Sequence, residues 1–240
     1  YILYKKSMLR FRHTRVLFDE IFTQYNIRLV HANHEGLANT AHAISQMYSV
    51  PWLCHVRTRM HSSPWSRSLY TLINENASGV IFITENELQH FQAVLGNDTP
   101  SNNWHIVHNS TDFFARSIAP HPNISPNPPR TNILTLSNLS PNRGTDQIPA
   151  VAHALAQQGH RKYTFHIFGK TSIGSLLPWK RTQPLKALQE AIEKHGVRDM
   201  VKVHGFTKEP ERALASCDLL LQVRRRCNPW GREIIEAMSM

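Results

Sequence analysis

The residues best suited to chemistry lie in short stretches that directly follow apolar runs. Residues 137–144 read Ser-Asn-Leu-Ser-Pro-Asn-Arg-Gly and follow a strand predicted at Asn132–Ser137. Backbone N–H groups at the start of a helix, together with the Arg143 guanidinium, can bind a diphosphate. Gly144 would let the backbone approach that ligand closely. An ordinary turn with a surface arginine explains these residues equally well, so both interpretations stay open here.

A second stretch occupies residues 224–238 and reads Arg-Arg-Arg-Cys-Asn-Pro-Trp-Gly-Arg-Glu-Ile-Ile-Glu-Ala-Met. Gly231 would relax the turn, and the N-terminus of the next helix would point at phosphate. Glu236, one turn into that helix, could accept hydrogen bonds from ribose hydroxyls. Three consecutive arginines are more often a solvated charge run. Their position between an apolar strand and a helix favours a functional role.

Polar residues also follow two strands of the first half, in the stretches 29–36 and 54–58. His31, His34, Cys54 and His55 in these stretches raise the possibility of a metal site. Their spacing fits no closed zinc pattern, and 15 histidines in 240 residues make chance neighbours common. We therefore predict that the site holds no metal.

The elements that must position these residues alternate along the chain, as in parallel sheets covered by helices. The sequence predicts four strands and four helices in each half. The strands are Arg28–Ala32, Trp52–Val56, Gly79–Ile83, His105–His108, Asn132–Ser137, Tyr163–Phe168, Val201–His204 and Leu219–Val223. The helices are Thr14–Tyr25, Leu37–Tyr48, Ser66–Asn76, Glu85–Leu95, Thr145–Gln157, Leu185–His195, Glu209–Ala215 and Arg232–Met240.

A proline-rich segment interrupts this alternation. Five of the 15 residues from Ser117 to Thr131 are proline, which removes backbone donors and stiffens the chain. We predict an α/β protein with two Rossmann-like domains, residues 1–116 and 132–240, joined by a stiff linker at 117–131. Ligands of such domains bind at the carboxyl ends of the strands, which predicts a cleft between the two sheets.

Charge and composition narrow the partners. Residues 1–114 carry a net charge of +1, whereas residues 115–240 carry +9. A basic half suits nucleic acid, anionic lipid or a nucleotide diphosphate, and charge alone does not choose among them. Three scattered cysteines and the lack of a long apolar run favour a cytoplasmic protein. The basic residues Lys5, Lys6, Arg10, Arg12 and Arg15 could contact a membrane surface, although a solvated helix face is the commoner explanation.

The second stretch resembles the donor-site signature of family four of the retaining glycosyltransferases, which have the GT-B fold. Trp230, Gly231 and Glu236 match their places in that signature, and Ala237-Met238 continue it. The order of other pieces is also similar to the family along most of the chain. These pieces are Gly79–Glu85, Val107–Asp112, Asn132–Ala154, His166–Gly169, Val201–Phe206 and Cys217–Leu221.

The resemblance assigns roles to individual residues. It implies that Asn33, Arg57 and Asn228 face the reacting sugar or the leaving phosphate, and that His31 and His34 lie on the acceptor side. It implies a donor site made of Asn138, Arg143, Gly144, Gly169, Phe206, Arg225, Trp230, Gly231, Arg232 and Glu236. The chain departs from the family at two places, where Asn228 replaces a glutamate and Asn138 replaces an arginine.

The function implied by the resemblance is transfer of a sugar from a nucleotide-diphosphate sugar to a glycan or lipid-linked acceptor, with retention and without metal or cofactor. The family pattern extends past both ends of this chain, so we expect a fragment. Two alternatives stay open: a non-catalytic phosphate or nucleic-acid binder, and a GT-B sugar-nucleotide epimerase. No run of aromatics interleaved with basic residues is present, so we expect no nucleic-acid partner.

Overall fold

The computed structural model describes residues 15–99, 103–111, 118–124, 130–170, 183–225 and 231–240. The chain forms two compact units, Tyr1–Asn109 and Ser110–Met240. Each unit contains a four-stranded sheet in which all neighbouring strands are parallel. The prediction of an α/β protein with two parallel sheets is therefore confirmed.

The first unit has the strand order β1-β2-β3-β4. Its strands are Val30–Ala32 (β1), Trp52–Val56 (β2), Gly79–Phe82 (β3) and Trp104–Ile106 (β4). Its helices are residues 15–24 (α1), Ala38–Tyr48 (α2), Pro64–Asn76 (α3) and Glu85–Leu95 (α4). Trp52, Tyr70, Phe82 and Phe91 are fully buried and form the centre of the core.

Local capping explains why α3 begins two residues before the predicted start at Ser66. The Ser63 hydroxyl accepts a hydrogen bond from the Ser66 backbone N–H at 3.1 Å, and the Ser66 hydroxyl accepts one from Ser63 N–H at 2.9 Å. This reciprocal pair satisfies two backbone donors at the helix start. Pro64 occupies the first turn, where its missing N–H costs nothing.

The second unit has the strand order β7-β6-β5-β8. Its strands are Thr131–Leu136 (β5), Tyr163–Phe168 (β6), Val201–Gly205 (β7) and Leu219–Leu220 (β8). Its helices are Ile148–Gln157 (α5), Gln183–His195 (α6), Pro210–Ala215 (α7) and Arg232–Met238 (α8). Two 3-10 turns, Pro141–Arg143 and Thr145–Gln147, precede α5. Strand β8 is shorter than predicted because the chain leaves the sheet after Leu220.

The described part of the proline-rich segment packs on the second unit. Ile124 is buried in the core beside Leu134 and Phe168. The His121 N–H donates a hydrogen bond to the Ser216 hydroxyl at 2.6 Å. The buried Ile124 side chain thus holds residues 118–124 against this unit. Residues 125–129 lie outside the described residues.

Two histidines form a buried polar chain across this sheet. The Asn132 amide group donates to the Ser216 carbonyl at 3.4 Å, so its oxygen accepts from His166 Nε2 at 3.1 Å. In a neutral His166 ring, Nδ1 then accepts from His204 Nε2 at 2.9 Å. Burial, followed by the neighbouring His204, lowers the pKa of His166 from 6.5 to about 4. Burial and these neighbours therefore favour the neutral form of His166 in the folded protein.

This network predicts acid destabilisation. Below about pH 6.5 the unfolded chain binds a proton at His166, whereas the folded chain binds it only near pH 4. The stabilising effect is therefore complete above pH 6.5 and is lost as the pH falls. We expect His166→Gln to flatten the pH dependence of the unfolding free energy by up to about 1.4 kcal/mol per pH unit between pH 6.5 and 4. Urea unfolding at several pH values measures this dependence of the unfolding free energy on pH. His160→Gln, at an exposed histidine, is the control, and equal slopes in wild type and His166→Gln would refute the prediction.

Candidate active site

A cleft of about 300 Å³ lies at the carboxyl ends of β5, β6 and β7, next to the start of α8. This is the edge at which parallel α/β sheets bind ligands. Six residues that were predicted for the donor site line it: Asn138, Arg143, Gly169, Phe206, Arg232 and Glu236. The structure thus brings the 137–144 turn and α8 together in one cleft.

Two glycines set the backbone geometry of this edge. A Cβ on Gly144 would collide with the Val223 carbonyl oxygen, and a Cβ on Gly169 would collide with the Ser137 carbonyl oxygen. Gly144 also has a positive φ of 68°, which glycine adopts without strain. The loops after β5, β6 and β8 therefore touch one another through bare backbone.

Arg143 provides an uncommitted positive charge in the cleft. Its side chain is half-buried and makes no hydrogen bond or ion pair to any part of the chain that the structure describes. Burial, followed by the neighbouring Arg224, lowers its pKa, and Glu233 opposes that effect. A guanidinium with free donors in a concave site is suited to bind phosphate or carboxylate.

Phe206 forms another part of the cleft wall. Its side chain is 56% exposed, which is unusual for a phenylalanine. The Lys170 ammonium lies 4.0 Å from the centre of its ring, close enough for a cation–π contact. The cleft therefore combines a planar apolar surface with charged groups.

Arg57 in the first unit is held by neutral partners from two other loops. Its guanidinium donates to the side-chain oxygens of Asn33 at 3.1 Å and Asn109 at 3.4 Å. The buried Glu35 carboxylate accepts from the Arg57 backbone N–H at 3.0 Å and also from the Thr58 hydroxyl. Three loops at the carboxyl edge of this sheet are thus joined through Arg57.

The two predicted acceptor-side histidines have different surroundings. The His31 ring stacks on His55 with ring centres 5.8 Å apart. His34 Nδ1 accepts a hydrogen bond from the Gly36 N–H at 2.9 Å and caps a short 3-10 turn. Within the described ranges, no cluster of three or more His, Cys, Asp or Glu residues could hold a metal ion. No described helix could span a membrane, and the basic residues before Arg15 lie outside the described residues.

Sequence comparison identifies the family. The model of the glycosyl transferases group 1 family matches residues 120–240, half of the chain. The chain belongs to this family. No curated protein matches the chain significantly.

Solved glycosyltransferase structures share the fold of this group 1 chain, and they identify that fold as GT-B. Alr3699/HepE from Anabaena, in complex with UDP and glucose, is 21% identical, with a TM-score of 0.71, over 93% of this chain and 60% of its own. A glycosyltransferase from Rickettsia africae is 15% identical, with a TM-score of 0.71, over 95% and 59%. The E. coli trehalose-6-phosphate structure bound with UDP-2-fluoro glucose is 15% identical, with a TM-score of 0.70, over 95% and 59%. The chain thus spans about 60% of the length of these proteins.

Other predicted donor residues of the group 1 chain lie beside the cleft or outside the described residues. Gly144 and Gly231 adjoin residues of the cleft wall. Arg225 is turned toward the 145–147 turn, where its guanidinium pairs with Asp146 at 2.6 Å. Asn228 and Trp230 lie outside the described residues, so their predicted roles stay predictions.

Two acidic residues, Glu35 and Glu233, lie close to the predicted arginines, and the sequence analysis did not single them out. Glu35 is fully buried under the Arg57 loop. Glu233 lines the same cleft as Arg143 and forms an ion pair with Arg224, in which both side chains are less than one-fifth exposed. No periodic pattern relates either acid to its partners, because each contact joins residues of separate elements. In the sequence, the only hint of an ion pair at Glu233 was that the arginine run 224–226 lies a few residues before it.

Gly144 offers a test of the close backbone approach. Gly144→Ala adds a left-handed strain of about 1–2 kcal/mol and an overlap with Val223 that costs a further 1–3 kcal/mol or so. Gly196 has a similar φ of 63° with open space around it, so Gly196→Ala carries the strain alone. We expect Gly144→Ala to lower the free energy of unfolding by more than the control does. Equal losses in denaturant titrations would contradict the close approach.

Proposed function

We propose that the chain belongs to an enzyme that transfers a sugar from a nucleotide-diphosphate sugar to a glycan or lipid-linked acceptor. We further propose that the anomeric configuration is retained and that the product is a cell-surface polysaccharide or glycoconjugate. The observation that carries the proposal is that Arg143 and Glu236 line the same cleft of a group 1 chain. A cation for a diphosphate and a carboxylate for sugar hydroxyls are the two groups that such a donor needs.

Five residues of the cleft have a proposed role. Arg143 binds the diphosphate, and the Asn138 amide can add a neutral hydrogen bond where relatives have a charge. Glu236 accepts hydrogen bonds from the ribose hydroxyls. Phe206 and Gly169 would hold the base. The Anabaena and E. coli neighbours were solved with UDP and with UDP-2-fluoro glucose, which makes uridine donors the first to test.

Arg57 is the proposed catalytic group of the first unit. Its partners are amide oxygens, so its charge stays available to stabilise negative charge on the departing diphosphate. Asn33 would orient it. Arginines and backbone donors would then do the work of a metal, so we keep the prediction that the reaction needs neither metal nor cofactor. A cytoplasmic location and membrane contact through the basic start of the chain also remain proposals.

The donor-site assignment predicts a loss of nucleotide binding in two variants. Charged hydrogen bonds contribute about 1.5–3 kcal/mol each, so Arg143→Ala should weaken binding of a nucleoside diphosphate by about tenfold to a hundredfold. Glu236→Ala should weaken the binding of nucleoside diphosphates, which carry a ribose, and should leave the binding of inorganic pyrophosphate unchanged. Calorimetric titration with uridine, guanosine and adenosine diphosphates measures both.

The matched control for this experiment is Arg161→Ala, which removes a positive charge from an exposed ion pair with Asp199 elsewhere in the same unit. It should bind like the wild type. Failure of the wild type to bind any nucleotide would refute the assignment. Salt-sensitive binding of unrelated RNA without competition by nucleotide would instead favour a nucleic-acid binder.

Arg57→Ala tests the catalytic proposal separately from donor binding. Loss of one preorganised hydrogen-bond donor that faces a developing negative charge lowers turnover by about a hundredfold or more. We expect sugar transfer, or hydrolysis of the donor without acceptor, to slow by this factor while donor affinity stays within about threefold. Arg57→Lys should recover only part of the rate, because an ammonium cannot contact both asparagines in the same way. An equal loss of affinity and turnover would contradict a role confined to the reaction step.

A further inference from the structure

A carboxylate in the wall of an anion-binding cleft is unexpected, because it repels the ligand. Glu233 lies in the same wall as Arg143 and faces the proposed diphosphate site. Its carboxylate pairs with Arg224 and folds back against the Cα of Gly231, in the space that a side chain at 231 would occupy. Both partners of the pair are mostly buried, so the pair is a fixed part of the cleft wall.

Arg224 belongs to a segment that is also attached to the turn carrying Arg143. The Val223 carbonyl packs on Gly144, and the Arg225 N–H donates to the Asn142 carbonyl at 3.3 Å. The Arg225 side chain pairs with Asp146 of the same turn. Residues 223–225 therefore contact the 142–146 turn on one side and helix α8 on the other.

We propose that Glu233 is a positioning residue that fixes the turn of Arg143 relative to helix α8 through Arg224. The inference rests on the proposed donor site, because Arg143 and Glu236 must keep one separation to hold a diphosphate and its ribose together. Glu233 itself makes no contact with the donor. It also neutralises Arg224, whereas Arg143 and Arg232 both line the cleft.

The sign of the effect on binding separates this role from simple electrostatics. Removing a negative charge from an anion site should tighten binding if Glu233 only repels the ligand. If Glu233 positions Arg143, Glu233→Ala weakens nucleoside diphosphate binding, by about tenfold for coupled contacts of this kind. Glu233→Gln keeps a hydrogen-bond acceptor for Arg224 but loses the charge, so its loss of affinity should be smaller than that of Glu233→Ala. Glu190→Ala, which removes a carboxylate from an exposed ion pair with Lys186 on α6, is the control.

Reversal of the pair gives a second test in the full chain. Arg224→Glu and Glu233→Arg should each weaken binding of uridine diphosphate, and the double variant should recover at least part of it. Tighter or unchanged binding in Glu233→Ala or Glu233→Arg would overturn the proposal. Absence of any rescue by the double variant would do so as well.

Hydrogen exchange tests the positioning without any ligand. Glu233→Ala should raise exchange of the backbone amides at 142–147 by roughly fivefold or more, although these residues lie far away in the sequence. Exchange that rises only near residue 233 would show that the pair stabilises α8 alone. If the wild type bound no nucleotide, the donor-site proposal would fail while this measurement would still decide the structural claim.

Discussion

Backbone contact between loops is the constraint on which the cleft of the second unit depends. Parallel strands end at one edge of a sheet, so the loops that follow them must share little space. In the second unit this space is so small that Gly144 and Gly169 pack directly on the carbonyl groups of Val223 and Ser137. Any side chain at either position would separate the loops. The shape of the cleft therefore depends on the two glycines, and its chemistry depends on the side chains that line its wall.

The arginines around this edge divide into two groups. Arg224 and Arg225 neutralise Glu233 and Asp146, and in doing so they connect the elements that surround the cleft. Arg143 has no such partner among the described residues, and its burial makes the unpaired charge costly. A bound anion would offset that cost. Part of the positive charge at this edge is therefore structural, whereas Arg143 and Arg232 line the cleft itself.

The sequence predicted the elements well where a single pattern decided them. The bounds of Trp52–Val56, Tyr163–Phe168 and Glu85–Leu95 were correct, since apolar periodicity marks buried strands and helix faces. Errors arose where one contact decided the boundary, as at the serine cap that starts α3 or the departure of the chain from the sheet after Leu220. The packing of Ile124 on the second unit was hidden behind its neighbouring prolines.

The site was predictable to the extent that its residues follow strands. That rule placed Arg143, Gly169 and Glu236 at one edge, and the cleft brings them together. It could not indicate which arginine would be paired, because ion pairs between loops leave no periodic trace in a sequence. Arg225 contacts Asp146, and its predicted role in donor binding stays a prediction. Glu233 escaped notice for the same reason.

The two units reach a similar electrostatic arrangement with different residues. In each, a buried or nearly buried carboxylate lies beside the key arginine but accepts its hydrogen bonds elsewhere. Glu35 binds the backbone and hydroxyl groups of residues 57 and 58, and Glu233 binds Arg224. The guanidiniums of Arg57 and Arg143 thus gain fixed surroundings without direct neutralisation by these acids. An arginine held in this way keeps its charge for a ligand, since a direct ion pair would have to break before an anion could bind.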